Sequence, residues 1–166
     1  MADLGSLSKM VLFAGLSREQ VADFVKVGKP IKIPEGEPVL VEGETGETMF
    51  ILVEGNVEVT RRLGTTTDDR IGPQKVKRLI TLSAPQFFGE MSLLEDAERS
   101  ATVTAANECE VLEVSRQDFE RLVDDDRQLG YRVVYNIALV MAGRLRGTNK
   151  DVLKLTAALS LALGNR

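Results

Sequence analysis

The stretch that decides the fold is Phe87-Phe88-Gly89-Glu90-Met91-Ser92-Leu93-Leu94-Glu95-Asp96-Ala97-Glu98-Arg99-Ser100-Ala101-Thr102. Gly89 permits a backbone conformation, and a close ligand approach, that a side chain would block. Residues 90–94 are predicted to form a short helix directly after this glycine. Unpaired N–H groups and the helix dipole make such a helix start attractive to an anion.

Two charged side chains complete this stretch. Arg99 follows the predicted helix and lies just before the next β-prone run, residues 101–104. Its planar fork of donors matches phosphate oxygens two at a time. Glu90 would repel a bare phosphate, but it can accept a hydrogen bond from a sugar hydroxyl on the same ligand. We interpret the stretch as a phosphate-plus-ribose site. The alternative is a solvated ion pair, worth ~0–1 kcal/mol.

The Gly-Glu, Leu-Leu and Arg-x-Ala-Thr elements, in this order and spacing, resemble the phosphate-binding cassette of the cyclic nucleotide-binding domain family. The resemblance implies that Glu90 binds the ribose 2′-hydroxyl. It also implies that Arg99 and Ser100 bind the cyclic phosphate, with backbone N–H groups near Gly89 and Ser92. The predicted ligand-binding residues of the cassette are Phe88, Gly89, Glu90, Met91, Ser92, Arg99 and Ser100.

Composition excludes several classes of function. The 166 residues carry a formal net charge of −4 and include no histidine, which removes the commonest general base and metal ligand. No nucleophile–base constellation is visible, so we expect no enzyme, metal or cofactor. The acidic balance argues against extended nucleic-acid contact. A single cysteine, Cys109, and the lack of a signal peptide or membrane-length apolar run predict a cytoplasmic protein.

From Pro30 onward, short apolar runs alternate with glycine turns. Many short strands at this spacing predict an antiparallel β-roll or jelly-roll barrel. The order of these glycines also resembles the family's β-roll. A capping box at Ser17 and Gln20 predicts a helix ahead of the strands, so the expected fold class is α+β.

A basic hairpin interrupts this pattern. Arginines and lysines flank the polar residues 64–73, which we interpret as a loop. The pair Asp68-Asp69 within it suggests a metal site, but a solvated turn is the favoured interpretation. The flanking basic residues either touch a partner or simply protect an edge strand.

Residues 127–163 predict one long helix with two apolar faces. Val133, Ile137 and Val140 form a face that packs on the strands. The other face is a heptad seam typical of a coiled coil. The seam residues are Ala138, Met141, Leu145, Thr148, Val152, Leu155, Leu159 and Ala162. We therefore divide the chain into a binding domain, 1–126, and a dimerisation helix, 127–166; the alternative is a helix folded back on its own core.

Thr148 is a polar residue in this seam, and its hydroxyl needs a partner. That partner is a symmetry-related threonine, the helix backbone or a ligand. The stretch Arg144-Leu145-Arg146-Gly147-Thr148-Asn149 resembles the family helix that contacts adenine from both subunits. The resemblance implies that Thr148 binds the base and extends this role to Asn149, which stands where the family has a serine.

These observations lead to one expectation and two alternatives. We expect a homodimeric sensor that binds cyclic AMP, with cyclic GMP possible, and signals to an unknown protein without contacting DNA or membrane. The first alternative is the sensor part of a catabolite-activator-type transcription regulator. The second is an interaction module that has lost its ligand.

Overall fold

The computed structural model describes residues 4–63 and 75–164. The predicted loop at 64–73, with Asp68 and Asp69, lies outside the described residues. Helices and antiparallel strands are both present, so the expected α+β class is confirmed. Across the described ranges, no helix is both long and apolar enough to cross a membrane.

The N-terminal segment is helical, as predicted. It comprises α1 (Leu4–Leu7), a 3₁₀ helix (Val11–Phe13) and α2 (Arg18–Val27). The capping box is present: the Gln20 amide donates to Ser17 Oγ at 3.1 Å, and the Ser17 amide donates to Gln20 Oε1 at 3.0 Å. These two bonds satisfy donors that a helix start leaves free and so fix where α2 begins.

The strands form two four-stranded antiparallel sheets with the orders β1-β8-β3-β6 and β2-β7-β4-β5. They are β1 (Lys29–Ile33), β2 (Pro38–Leu40), β3 (Thr48–Glu54), β4 (Asn56–Leu63), β5 (Lys75–Ser83), β6 (Gln86–Phe88), β7 (Thr102–Ala105) and β8 (Cys109–Ser115). The predicted roll is thus confirmed, but it is not a closed barrel. The described edge strands of one sheet do not pair with those of the other.

Gly55 is the corner where the chain passes from one sheet to the other. Its φ is +94°, and a Cβ there would lie 2.6 Å from the carbonyl oxygen of Glu108, so only glycine fits. The sheets then pack through one apolar cluster: Leu40, Phe50, Leu52, Val57, Leu82, Phe88, Val103, Ala105, Cys109 and Val111. Cys109 is a buried member of this cluster.

Two further helices complete the chain. Ser115 caps α3 (Arg116–Asp125) by accepting a hydrogen bond from the Asp118 amide, and Asp126 precedes α4 (Arg127–Gly164). The predicted packing face of α4 is confirmed: Val133 and Ile137 are fully buried and Val140 packs against the same core. From Leu145 on, the seam residues are exposed, so the helix does not fold back over its own core.

Candidate functional site

The cassette begins at a glycine held in the left-handed region. Gly89, with φ of +73°, precedes one turn of 3₁₀ helix, Glu90–Leu93. A Cβ at this position would lie 3.2 Å from Arg99 Nη1 and 3.3 Å from the carbonyl oxygen of Thr48. The helix is therefore where the sequence predicts it, although tighter and one residue shorter. The glycine allows the turn to close directly over the arginine.

Arg99 is fixed by three short hydrogen bonds. Nη1 donates to the Thr48 carbonyl and to Ser92 Oγ, both at 2.7 Å, and Nη2 donates to Thr48 Oγ1 at 2.9 Å. The residue is only 8% exposed, and no carboxylate within the described residues lies within ion-pair distance of it. Burial lowers the pKa of its guanidinium, although the Glu113 carboxylate acts in the opposite direction.

Gly46 and Thr48 are site residues that no motif in the sequence marks. A Cβ at Gly46 would lie 2.5 Å from Arg99 Nη2 and 2.8 Å from Nε, so a side chain there would displace the guanidinium. Thr48 begins β3 and supplies two acceptors, its carbonyl and its hydroxyl. Only the glycine turn ahead of β3 was visible as a pattern, because the contact with Arg99 spans about fifty residues of chain.

Glu90 is buried, with 3% of its surface exposed, and forms an ion pair with Arg144 of α4. The Arg144 guanidinium also lies over the Phe87 ring, 5.9 Å from its centroid. The sequence places Arg144 in the stretch that resembles the family helix, but no motif assigns this arginine a role of its own. Its position one helical turn before Thr148 is the signal that places both side chains on one face of α4.

A cleft of about 570 Å³ joins these groups. Eight of the nine predicted ligand residues line it: Phe88, Gly89, Glu90, Met91, Ser92, Arg99, Ser100 and Thr148. Asn149 does not line it, because the next residue along a helix is rotated by about 100°. The structure thus brings the cassette and the long helix together within one chain.

The predicted residues differ in how firmly the fold holds them. Phe88 is buried and stacks on Phe50 with ring centroids 5.5 Å apart. Met91 and Ser100 are exposed to the cleft. Thr148 is exposed as well, and its hydroxyl donates to the Arg144 carbonyl at 3.1 Å, so in a single chain the helix backbone satisfies it.

The basic hairpin forms the far side of the cleft. Arg61 and Lys77 line it together with the apolar residues Val59, Leu79 and Ile80. Acidic side chains are also present, and the lining as a whole contains Arg61, Lys77, Arg99, Arg144, Glu90, Glu95, Glu98 and Asp151. A lining of mixed charge with an apolar wall suits one compact ligand better than a polyanion.

The arrangement supports recognition of an anion and a hydroxyl side by side. Arg99 offers donors to the anion, and Glu90 offers an acceptor to the hydroxyl. Within residues 4–63 and 75–164, no cluster of three or more histidine, cysteine, aspartate or glutamate side chains is placed to hold a metal ion.

Comparison with protein families gives a match to the model described as "Cyclic nucleotide-binding domain" over residues 30–126. The matched range contains the whole cassette and, apart from Lys29 at the start of β1, both sheets.

Two of the similar proteins are bacterial regulators. The cyclic AMP receptor protein of Thermus thermophilus is 33% identical over 141 residues, which cover 85% of this chain. A CRP-like cAMP-activated global transcriptional regulator of Mycobacterium tuberculosis is 26% identical over 150 residues, or 90% of the chain. The chain spans about 60% of the length of each of these relatives.

A solved structure gives the same picture in three dimensions. The crystal structure of the Thermus thermophilus catabolite activator protein matches with a TM-score of 0.75 at 30% sequence identity. The match covers 89% of this chain and 63% of that one, so the similarity extends beyond the sheets into the helices.

Proposed function

The chain belongs to the cyclic nucleotide-binding domain family, and we propose that it is a homodimeric cyclic AMP sensor that regulates another protein. In this proposal, residues 1–126 bind the nucleotide and residues 127–166 form the dimerisation helix. The domain binds its ligand without transforming it.

One observation carries the proposal: Arg99 is a nearly buried cation without a carboxylate partner among the described residues. A buried charge is costly unless it is paired. Its three bonds to Thr48 and Ser92 use neutral acceptors, so no direct ion pair among the described residues neutralises the positive charge. The cyclic phosphate of a nucleotide in the adjoining cleft would neutralise it.

The Glu90 carboxylate is the group proposed to bind the ribose of the nucleotide. Glu90 is buried and lines the same cleft, so it can accept a hydrogen bond from a ribose hydroxyl. Arg144 pairs with it and brings α4 to the ligand. Cyclic AMP is favoured over cyclic GMP because the Thermus relative is named a cyclic AMP receptor and Thr148 stands at the cleft.

The proposed dimer rests on the exposed apolar seam of α4. Leu145, Val152, Leu155 and Leu159 are each more than half exposed. The same spacing of three and four continues backward to Val134 and Tyr131, which are also exposed. Such a stripe is the seam of a two-stranded coiled coil, so a second copy of the chain is the proposed occupant.

The dimer is tested by solution mass. Leu155→Glu should halve the mass measured by sedimentation equilibrium, because it places a charge in the seam. Leu161→Glu is the matched control, since Leu161 is similarly exposed on α4 but lies off the seam. Equal masses for Leu155→Glu and the parent would remove this face of α4 from any dimer.

A second candidate follows from the names of the relatives. The Mycobacterium tuberculosis protein is a transcriptional regulator, so this chain is alternatively the sensor part of such a regulator. In the leading proposal the protein acts in the cytoplasm on a protein partner and does not contact DNA. Electrophoretic mobility of DNA fragments with and without cyclic AMP separates the two candidates.

Calorimetric titration tests the binding function itself. We expect cyclic AMP to bind with one site per chain, cyclic GMP more weakly, and linear AMP not at all. At a hundred times its dissociation constant, cyclic AMP should add ~2.7 kcal/mol to the folded state, or roughly 5–10 °C in melting temperature. No heat and no thermal shift with any cyclic nucleotide would leave a ligand-free interaction module.

A further inference from the structure

A second arginine, Arg116, binds the cassette without lining the cleft. Arg116, the first residue of α3, donates through Nε and Nη2 to the Ser92 carbonyl at 3.0 and 2.6 Å. Nη2 also donates to the Glu95 carbonyl at 2.7 Å, and Nη1 pairs with the Asp96 carboxylate. The Arg116 side chain is 17% exposed and is not among the residues that line the cleft.

These bonds satisfy groups that the short cassette helix leaves free. The amides of Leu94 and Glu95 both donate to the Met91 carbonyl, so no backbone donor within the described residues reaches the Ser92 and Glu95 carbonyls. A helix end leaves its last carbonyls without intrahelical partners. Arg116 supplies donors for one of them, that of Ser92, and for the Glu95 carbonyl in the turn that follows. The fork of one guanidinium therefore fixes the end of the cassette helix and the turn that follows it.

Ser92 consequently accepts hydrogen bonds from two arginines, one at its hydroxyl and one at its carbonyl. Its hydroxyl accepts from Arg99 at 2.7 Å, and its carbonyl accepts from Arg116. Ser92 is buried, with 5% of its surface exposed, so water does not compete for either bond. Any movement of Arg116 would shift the Ser92 backbone and the hydroxyl that orients Arg99.

Arg116 is itself anchored to the body of the fold. Its amide donates to the Glu47 carbonyl at 2.7 Å, directly before Thr48, the other residue that holds Arg99. Further along α3, Phe119 and Leu122 are buried in the helical core. The next helix packs tightly on α3, because a Cβ at Gly130 would lie 2.6 Å from the Val123 side chain.

We propose that Arg116 is a positioning residue for ligand binding. It holds residues 92–96 of the cassette in the geometry that presents Arg99 and Ser92 to the cleft, and it does so without touching the ligand. This inference rests on the proposed cyclic nucleotide site.

The test compares variants in two measurements. Arg116→Ala should weaken cyclic AMP binding about tenfold, mainly through a faster off-rate, because bonds to a charged donor are lost at two carbonyls. Arg116→Lys should recover part of this loss, since lysine keeps the charge but lacks the fork. One control should stay within about twofold of the parent: Arg121→Ala, which removes an exposed arginine of the same helix.

The second measurement is amide hydrogen exchange of the ligand-free protein. Arg116→Ala should speed exchange within residues 92–96 while leaving β3 and β8 protected. This readout does not need the ligand, so absence of nucleotide binding in the parent would contradict the proposed function but still leave the contact with the cassette tested. Unchanged exchange within 92–96 overturns the inference, as does parent-like affinity in an Arg116→Ala protein that folds. If that variant does not fold, Arg116→Lys replaces it in both measurements, and parent-like exchange or parent-like affinity again overturns the inference.

Discussion

The two walls of the cleft are built in opposite ways. On the cassette wall, Glu90, Ser92 and Arg99 are all less than a tenth exposed, and each is held by hydrogen bonds from or to other elements. On the α4 wall, the Arg144 side chain is 47% exposed and Thr148 is exposed. The cassette wall is preorganised, whereas the α4 wall contacts it through Arg144, which pairs with Glu90 and lies over the Phe87 ring.

This difference assigns the two walls different tasks. Side chains that are already fixed lose little conformational freedom when a ligand arrives, so the cassette wall should supply most of the affinity. The exposed side chains of the α4 wall have more conformational freedom to lose, and a bound ligand would restrict them. The α4 wall is therefore the wall whose position can report that the site is filled.

The largest effect is expected on the cassette wall. Arg99→Ala removes the cation that Thr48 and Ser92 position, and should cost roughly 2–5 kcal/mol of cyclic AMP binding. Arg99→Lys should restore only part, because lysine lacks the planar fork. Calorimetry measures the affinities, and sedimentation should show an unchanged mass for both variants. Parent-like affinity in Arg99→Ala would remove this residue from the site and reverse the proposed ranking of the walls.

The next effect concerns the ion pair between the walls. Arg144→Ala leaves the buried Glu90 carboxylate without its cation and should lower the free energy of unfolding of the ligand-free protein by about 1–3 kcal/mol. Arg146→Ala, on an exposed position of the same helix, is the control. Denaturant unfolding of both variants gives the comparison. If the two are equally stable, the pair contributes nothing and the walls are independent.

A smaller effect is expected at Thr148. Thr148→Val keeps the shape but removes the hydroxyl, which in a single chain donates to the Arg144 carbonyl. We expect a loss of about 1 kcal/mol in cyclic AMP affinity, little change for cyclic GMP, and an intact dimer. Titrations with both nucleotides and a mass measurement check this. Equal losses, or none for cyclic AMP, would mean that the base is bound elsewhere.

The smallest effect is at the base of α4. Asp126 caps this helix by accepting from the Gln128 and Leu129 amides, both at 3.0 Å, and it also accepts from Gln20 Nε2 at 2.8 Å. The Gln20 bond, followed by the Leu129 amide, lowers the pKa of the Asp126 carboxyl.

The lowered pKa of Asp126 means that acid should weaken its contribution to the stability of the fold. A depressed pKa stabilises the fold at pH values above the unfolded value of about 3.9, and the contribution is lost as the pH falls through the folded value. Asp126→Asn still caps the helix but does not titrate. The loss of melting temperature below about pH 4 should therefore be slightly smaller in Asp126→Asn than in the parent. Identical acid profiles would contradict this role.

The sequence predicted what is local and missed what is distant. The cassette, the capping box at Ser17 and the start of α4 at residue 127 all have signals within a few residues, and the structure places each there. The contacts of Arg99 with Thr48, and of Arg144 with Glu90, join residues 51 and 54 positions apart. No pattern along the chain encodes such a pair.

The separation of the strands into two sheets also depends on contacts between residues that are distant in the sequence. Strand spacing indicates a roll, but closure into a barrel depends on whether edge strands meet, which is a property of non-local pairing. Asn149 does not line the cleft of its own chain, and its role at the base stays a prediction. The resemblance includes Asn149 because it follows Thr148 in the sequence. The rotation of the helix from one residue to the next places Asn149 off the face that Thr148 shares with Arg144.

The part of α4 that extends beyond the core is long enough to convert a small tilt of the helix into a large displacement of its end. The buried residues of α4 end near Val140 and Met141, and at 1.5 Å per residue the remaining residues 142–164 extend about 35 Å. Such an arm is a lever whose pivot lies beside Arg144. A tilt of about 10° at the pivot would carry the far end through about 6 Å for an arm of this length. If the proposed sensor moves α4 in this way, a displacement of one side chain in the cleft would become a movement of several ångströms at the end of the arm.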